Sequence, residues 1–249
     1  MPRIDQITLR SRDHHAQQEF YIDILGMVGR DDGTIGYGDK EVGLIFEPAN
    51  KPYQPSNQDV YWKIALAVPN IELACDQLLR KGVQVGAARQ FQDIGYLAHF
   101  RDPEGFTIEL IEHWFKGNRP DLQYDTSRLG GGATLNLLTL RTHDIAPLHK
   151  SCLDWGMTPL SVQHVHGYGF TLHFYAFTDE QPPNPDLTAI ENREWLYQRP
   201  YTVLEIQEVE GACGMHPTRD GAAGYASAKI TGLVRELLPN ELQISAETL

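Results

Sequence analysis

The chain has 249 residues, of which 41% are hydrophobic and 22% charged, and its formal net charge is −12. This is globular-protein composition and enough length for one large domain or two smaller ones. The acidic balance repels phosphate backbones and anionic lipid, which argues against nucleic acid and membrane partners, and no apolar run reaches the roughly 18 residues of a membrane-spanning helix.

The N-terminal "MPRIDQITLR" lacks an apolar signal-peptide core. Cys75, Cys152 and Cys213 are widely spaced and odd in number. They argue against a disulfide framework or a CxxC zinc site and suit a reducing, cytoplasmic setting.

In chain order, "QITLRSRD" (6–13) is a strand ending in a helix N-cap, Asp13. The helix that follows carries Phe20, Tyr21, Ile24 and Leu25 near helical spacing and stops at Gly26. "TIGYG" and "EVGLIFE" are strands. "KIALAVPNIELACDQLLRKGV" repeats the plan: a strand, an Asn70 cap, a helix with Leu73, Leu78 and Leu79, and a closing Gly82. Strands "VQVGAARQ", "GYLAHFR" and "FTIELIEH" follow, with "RDPEG" (101–105) a strong turn signal between the last two. Residues 113–132, ending in Gly130, Gly131 and Gly132, have little periodicity and read as a linker. "LLTLRTHD" (137–144) then restates the opening phrase, with Thr139, Leu140, Arg141 and Asp144 standing for Thr8, Leu9, Arg10 and Asp13. A helix through Pro147 to Gly156 follows, then "MTPLSVQHV", "YGFTLHFYAF" and "YTVLEIQEV". The last two are separated by a proline-rich excursion (178–194), with a short helix over 187–197. The tail "AAGYASAKITGLVRELL" (222–238) reads as one more strand and helix.

The unit is β-α-β-β-β, and the fold class α+β. One helix per unit covers only one face of its sheet, so units must pair to close a core. Taken linearly, residues 1–115 form a first module of two units, 116–132 a linker, and 133–249 a second module of one full unit and a partial fourth.

This plan resembles the vicinal oxygen chelate superfamily, which includes glyoxalase I, bleomycin-resistance proteins and extradiol dioxygenases. Residues 60–112, with "RDPEGFTIELIE", look like the second unit of glyoxalase I, and residues 137–208 like its first. The resemblance implies tandem curved sheets forming cups. Inward His, Gln or Glu side chains on the first and last strands of paired units would hold one divalent metal, which polarises substrate oxygens. On that pattern the ligand positions of the first module are Gln6, Lys63 and Glu109, with Glu47 as a fourth candidate. Those of the second are Leu137, Glu205 and Tyr225. Lys63 departs from the pattern, because an ammonium has three donors and no acceptor. A Lys63–Glu109 ion pair would set a fixed positive charge where the metal belongs. Leu137 is a second departure.

Glu109 and Lys63 are thus the catalytic candidates, and Gln6 and Glu109 the metal candidates. Zn, Ni, Mn or Fe and no metal at all stand as equal readings. Arg10, Tyr61, Trp62, Arg141, Trp195 and Glu205 are candidates for substrate binding, with Tyr197 and Tyr201 as further pocket aromatics. Arg10 and Arg141 occupy a place that helps bind the anionic end of glutathione in glyoxalase I; bracing the sheet edge is the competing role. His164, His166 and His173 are close in sequence, and His173 would reach Glu205 if it faced inward.

Several functions stay open. The chain binds or transforms a small oxygenated molecule in a cup whose metal site is degenerate; or it is a metal-dependent lyase, isomerase or dioxygenase using Gln6 and Glu109; or Lys63 serves as general acid or anchor without metal; or the protein is a non-catalytic interaction module. The sheet edges left by the partial fourth unit suit a homodimer.

Overall fold

The computed structural model of the chain describes residues 1–165, 167–233, 237 and 240–248. His166 and most of the helix expected near the C-terminus lie outside them. Among the described residues no helix is long and apolar enough to cross a membrane.

The first unit comprises β1 (Arg3–Ser11), α1 (His14–Glu19), which runs on as a wider π-helical turn over Phe20–Ile24, β2 (Val28–Gly29), β3 (Ile35–Gly36) and β4 (Gly43–Pro48). The second is β5 (Tyr61–Val68), α2 (Ile71–Arg80), β6 (Arg89–Phe91), β7 (Gly95–Arg101) and β8 (Thr107–Glu112). The third is β9 (Thr134–Thr142), α3 (Ile145–Trp155), β10 (Thr158–Val165), β11 (Phe170–Ala176), the inserted α4 (Glu191–Tyr197) and β12 (Val203–Val209). Two strands, β13 (Gly224–Leu233) and β14 (Ile244–Thr248), stand for the fourth. Each full unit starts its helix from the side chain that the sequence marks as a cap. Asp13, Asn70 and Asp144 accept from Ala16, Leu73 and Ala146 N–H groups at 3.0, 2.9 and 3.0 Å. Gly156 closes α3 at φ 89°, a left-handed conformation that an L side chain resists.

Within each full unit the first strand pairs in parallel with the last: β1 with β4, β5 with β8, β9 with β12. β13 and β14 make the same parallel pair. The units then join through antiparallel first strands, β5 to β9 and β1 to β13. The result is an eight-stranded sheet, β10-β11-β12-β9-β5-β8-β7-β6, and a six-stranded one, β14-β13-β1-β4-β3-β2. The linear division at 1–115, 116–132 and 133–249 therefore coincides with neither sheet. The second unit pairs with the third, and the first with the partial fourth. A repeat defines each unit, but the choice of neighbour for each first-strand edge is a long-range matter that its local pattern does not encode.

The main apolar cluster joins one face of each sheet to the helices, including Ile7, Leu9, Tyr21, Ile64, Leu66, Leu78, Leu138, Leu140, Cys152 and Tyr225. A second cluster fills the concave side of the eight-stranded sheet with Ala65, Leu97, Ile111, Leu137, Leu172, Phe174, Leu196 and Tyr197. Alternation separates the two sets: on β9, Leu138 and Leu140 serve the first and Leu137 the second.

The "RDPEG" turn also staples the second unit to the first. Asp102 accepts hydrogen bonds from Gln17 Nε2 (2.7 Å), the Tyr21 hydroxyl (3.0 Å) and the Gly105 and Phe106 N–H groups (2.9 Å each). Glu104 accepts from Ser11 Oγ and the Arg12 N–H at 2.9 Å. Burial pushes Asp102 up to about 6 against those bonds, and pushes Glu41 and Glu112 up to about 7. Each of these carboxyls binds its proton more tightly folded than unfolded. The stability they give is full below their unfolded pKa values and is lost as pH rises through about 6 to 7. His113, pushed down to about 4 by burial, acts in the opposite sense but is fully deprotonated in both states above about pH 7.5. Thermal melts are expected to show a Tm that falls from about pH 5.5 to 7.5 and then levels off, with a shallower fall in Glu112→Gln. A Tm that climbs across that window would contradict the assignment.

Candidate functional site

Lys63 projects into the concave side of the eight-stranded sheet because of a break in pleat alternation. Across β5 and β9, Tyr61 faces Leu140 and Lys63 faces Thr139, so Trp62 is an extra, unpaired residue. Such a bulge re-aims the side chains that follow it. Tyr61, before the break, points into the core between the sheets and stacks on Tyr225 at 5.6 Å. Lys63, after it, turns inward.

All three N–H donors of the ammonium are accounted for. Lys63 Nζ lies 2.9 Å from Thr139 Oγ1, 3.0 Å from Glu205 Oε2 and 3.0 Å from Glu109 Oε1. Thr139 donates onward to Glu205 at 2.7 Å. The three charged side chains are 2%, 6% and 3% exposed for Lys63, Glu109 and Glu205. Burial alone would discharge Lys63, but the two carboxylates together hold its pKa above the ordinary lysine value. Burial likewise opposes ionisation of Glu109, yet Lys63 and then His99 pull it down to about 2. Glu205 moves the other way, raised by burial with the charge of Glu109 adding to it. With one cation and two carboxyl groups, the cluster carries excess negative charge, and Glu205 is the member biased toward its neutral form.

The far oxygen of Glu109 faces outward. Glu109 Oε2 lies 2.9 Å from His99 Nε2, and the His99 side chain is 37% exposed. Trp62 roofs the cluster: its ring lies 4.9 Å from Lys63 Nζ, 5.2 Å from the Arg141 guanidinium and 6.4 Å from His99. Arg141 is fixed by Gln207 Oε1, which accepts from its Nε at 2.8 Å. Inside the cup little space is left. The cavity bounded by Trp62, Lys63, Glu109, Leu137, Tyr197 and Glu205 holds about 30 Å³. Tyr197 from α4 plugs it, with its hydroxyl donating to the Ile94 carbonyl at 2.9 Å. Gly95 sits beneath it, close-packed on Ile111, whose Cδ1 would stand 2.9 Å from a Cβ there. At the rim lies an open groove of about 640 Å³, lined by Phe20, Val83, Phe100, Arg101, Thr107 and His99.

Several sequence expectations are corrected by this geometry. Gln6 is in the other sheet, half-buried, donating to Thr8 Oγ1 at 3.0 Å, and does not meet Lys63 or Glu109. The cross-strand registers place Ile45 and Ser227 beside Thr8, as Glu109 and Leu137 lie beside Ala65. Glu47 is therefore one pleat past the inward position, at an exposed strand end, and Tyr225 is turned into the core. Arg10 lies on β1 opposite Gly224, away from the cup. Tyr61 is on the wrong face to line it. Trp195 is half-buried on α4 with the Arg199 guanidinium 4.4 Å from its ring, and Tyr201 reaches Glu180 at 3.4 Å. His173 faces away from the cup and pairs with Glu208 at 3.4 Å, while His164 contacts Thr171.

What the structure does bring together is Lys63, Glu109 and Glu205, with Trp62 and Arg141 above them. Sequence reading missed His99, Thr139 and the plugging role of Tyr197. His99 was within reach: counting outward from "RDPEG" pairs Arg101 with Thr107 and His99 with Glu109, and the β7–β8 register agrees.

The resemblance to metal-binding cups is testable on these residues. Of the four inward positions, Lys63 offers only donors, all engaged, and Leu137 offers no ligand atom. Two carboxyl groups bound to an ammonium do not fit a divalent metal. Among the described residues no group of three or more His, Cys, Asp or Glu is arranged to hold one.

Residues 3–110 match the model of the Glyoxalase/Bleomycin resistance protein/Dioxygenase superfamily. A protein of Vibrio cholerae serotype O1 (strain ATCC 39315 / El Tor Inaba N16961), named "Probable lactoylglutathione lyase", is 29% identical over 127 residues, 45% of this chain and 91% of that one. Among solved structures, glyoxalase I from Zea mays superposes with a TM-score of 0.60 at 18% identity, covering 93% of this chain and 74% of that chain. A protein from Bacillus subtilis subsp. subtilis str. 168 does so with a TM-score of 0.57 at 15% identity, over 92% and 69% of the two chains. At such identities the superpositions speak for the fold alone. The sequence match to that superfamily's model thus covers residues 3–110, and the tandem βαβββ architecture across the whole chain shares the fold of glyoxalase I.

Proposed function

We propose that this protein binds a small organic molecule in the groove at the rim of the eight-stranded sheet, without a divalent metal. One observation carries the reading: the cup interior holds about 30 Å³ and the groove about 640 Å³, and His99 belongs to the groove while touching the buried cluster. The groove is of ligand size. Phe20, Val83 and Phe100 offer apolar contact, and Arg101, Thr107 and His99 offer hydrogen bonds. A compact molecule with an acceptor group beside an apolar body fits that lining.

A fragment screen by ligand-observed NMR tests this. Carbonyl- or carboxylate-bearing aromatic fragments should bind the wild type, weaken about tenfold or more in Arg101→Ala and His99→Ala, and bind normally in Gln6→Ala. Chelator should change neither binding nor Tm. Hits indifferent to Arg101 and His99, or abolished by chelator, would refute the proposal.

A second reading, proton-transfer chemistry, is favoured by the Glu109–His99 contact, in which a buried carboxylate lies 2.9 Å from the imidazole of a part-exposed side chain. The lysine itself is a poor general acid here, because its three protons are committed to Thr139, Glu109 and Glu205. Assay of lactoylglutathione turnover, suggested by the Vibrio cholerae relative, separates the two: activity lost in His99→Gln favours chemistry, and its absence leaves binding.

A further inference from the structure

We infer that Lys63 is a resident cation that substitutes for a metal ion: its ammonium occupies the point where Glu109, Glu205 and Thr139 converge, and its removal would open a cation site that the wild-type chain does not offer. The inference concerns the cluster alone and stands whether or not the rim groove takes a ligand.

Three observations on separate elements carry it. The oxygens come from β8, β9 and β12, so the shell is built by the sheet and not by the lysine's own strand. They surround Nζ at 2.9–3.0 Å. Oxygen ligands of Mn²⁺ or Ca²⁺ stand at roughly 2.1–2.6 Å, so a metal ion would require them to close in by less than about 1 Å. The shell is also nearly sealed, with Lys63 2%, Glu109 6% and Glu205 3% exposed. Two carboxyl groups enclosed this way need a counter-charge, and the lysine delivers one along its own side chain. A covalently tethered cation cannot dissociate, which separates this cup from sites that fill and empty with free metal. The β5 bulge that turns Lys63 inward is thus part of the cation's delivery.

The test uses the full chain in three variants, with Mn²⁺ and ethylammonium as probes. Lys63→Ala leaves a hole of lysine shape facing Glu109 and Glu205. Its Tm should fall below wild type and rise with added Mn²⁺ or ethylammonium, by roughly 3–6 °C for each tenfold excess of probe over its dissociation constant. Lys63→Met fills the hole without charge and should respond to neither. Lys63→Ala/Glu109→Gln should lose the response to Mn²⁺. If Lys63→Ala does not fold unaided, refolding followed by circular dichroism with and without the probes reads the same property, and recovery with a probe supports the inference. Failure of both probes to stabilise or refold Lys63→Ala overturns it. So does an equal response from Lys63→Met, or stoichiometric metal in the wild type that disappears in Glu109→Gln.

Discussion

Lys63→Met should cost the protein about 3–5 kcal/mol of folding stability at neutral pH, because it strands two buried carboxyl groups without their cation. The apolar stem is conserved, so the loss reports charge and hydrogen bonding and not a cavity. Glu109 bears most of the damage: its low pKa of about 2 depends first on Lys63, and without it burial drives the group toward protonation. The triple variant Lys63→Met/Glu109→Gln/Glu205→Gln should recover most of the loss, since replacing a whole buried ion cluster by neutral groups is often close to neutral. Urea unfolding of the two proteins measures both values. A single variant within about 1 kcal/mol of wild type would mean that water already reaches the cluster and that the enclosure described above is wrong.

Tyr197→Ala is the second large effect. Tyr197 is fully buried, and truncation of such a ring to alanine costs about 3–5 kcal/mol. The Ile94 carbonyl, 2.9 Å from its hydroxyl, loses its donor as well. Function should move with stability. The cavity of about 30 Å³ beneath Trp62 would grow by the volume of a phenol ring. Added phenol should then raise the Tm of the variant in a dose-dependent way and leave the wild type unmoved. Tyr197→Phe, which keeps the plug, should lose only about 1 kcal/mol and take up no phenol. If phenol fails to stabilise Tyr197→Ala, the helix collapses inward when truncated and α4 is not the element that keeps the cup closed.

The local chemistry of the chain was legible in its letters. Asp13, Asn70 and Asp144 cap helices where short polar side chains precede apolar periodicity, and "RDPEG" turns where its residues demand. The Lys63–Glu109 pair was legible too, because the resemblance to metal-binding cups put both residues at inward ligand positions. Glu205 was identified as inward-facing but assigned to a different cup. Its contact with Lys63 depends on which first strands adjoin, and β5 with β9 is a pairing between units that neither strand's own pattern specifies. Gln6 failed for the same reason. Tyr61 and Tyr225 failed for a smaller one: they were placed by similarity along the strand, whereas a single extra residue or a shifted register reverses which face a side chain meets. Glu47 failed because it lies two residues beyond the inward position, at the exposed end of its strand. Tyr197 was seen as an aromatic near an excursion, but nothing in a proline-rich stretch announces that its last helical turn folds back into the sheet.

That extra residue at Trp62 also decides how the centre is assembled along the chain. Ordinary pleating sends consecutive neighbours to opposite sides, so a cation and the aromatic ring above it would normally have to be recruited from distant segments and kept in step. Here a one-residue reading-frame slip places both on the same side as adjacent letters of one strand. Charge and roof therefore come from one local feature of β5, while the oxygens around the ammonium come from β8, β9 and β12.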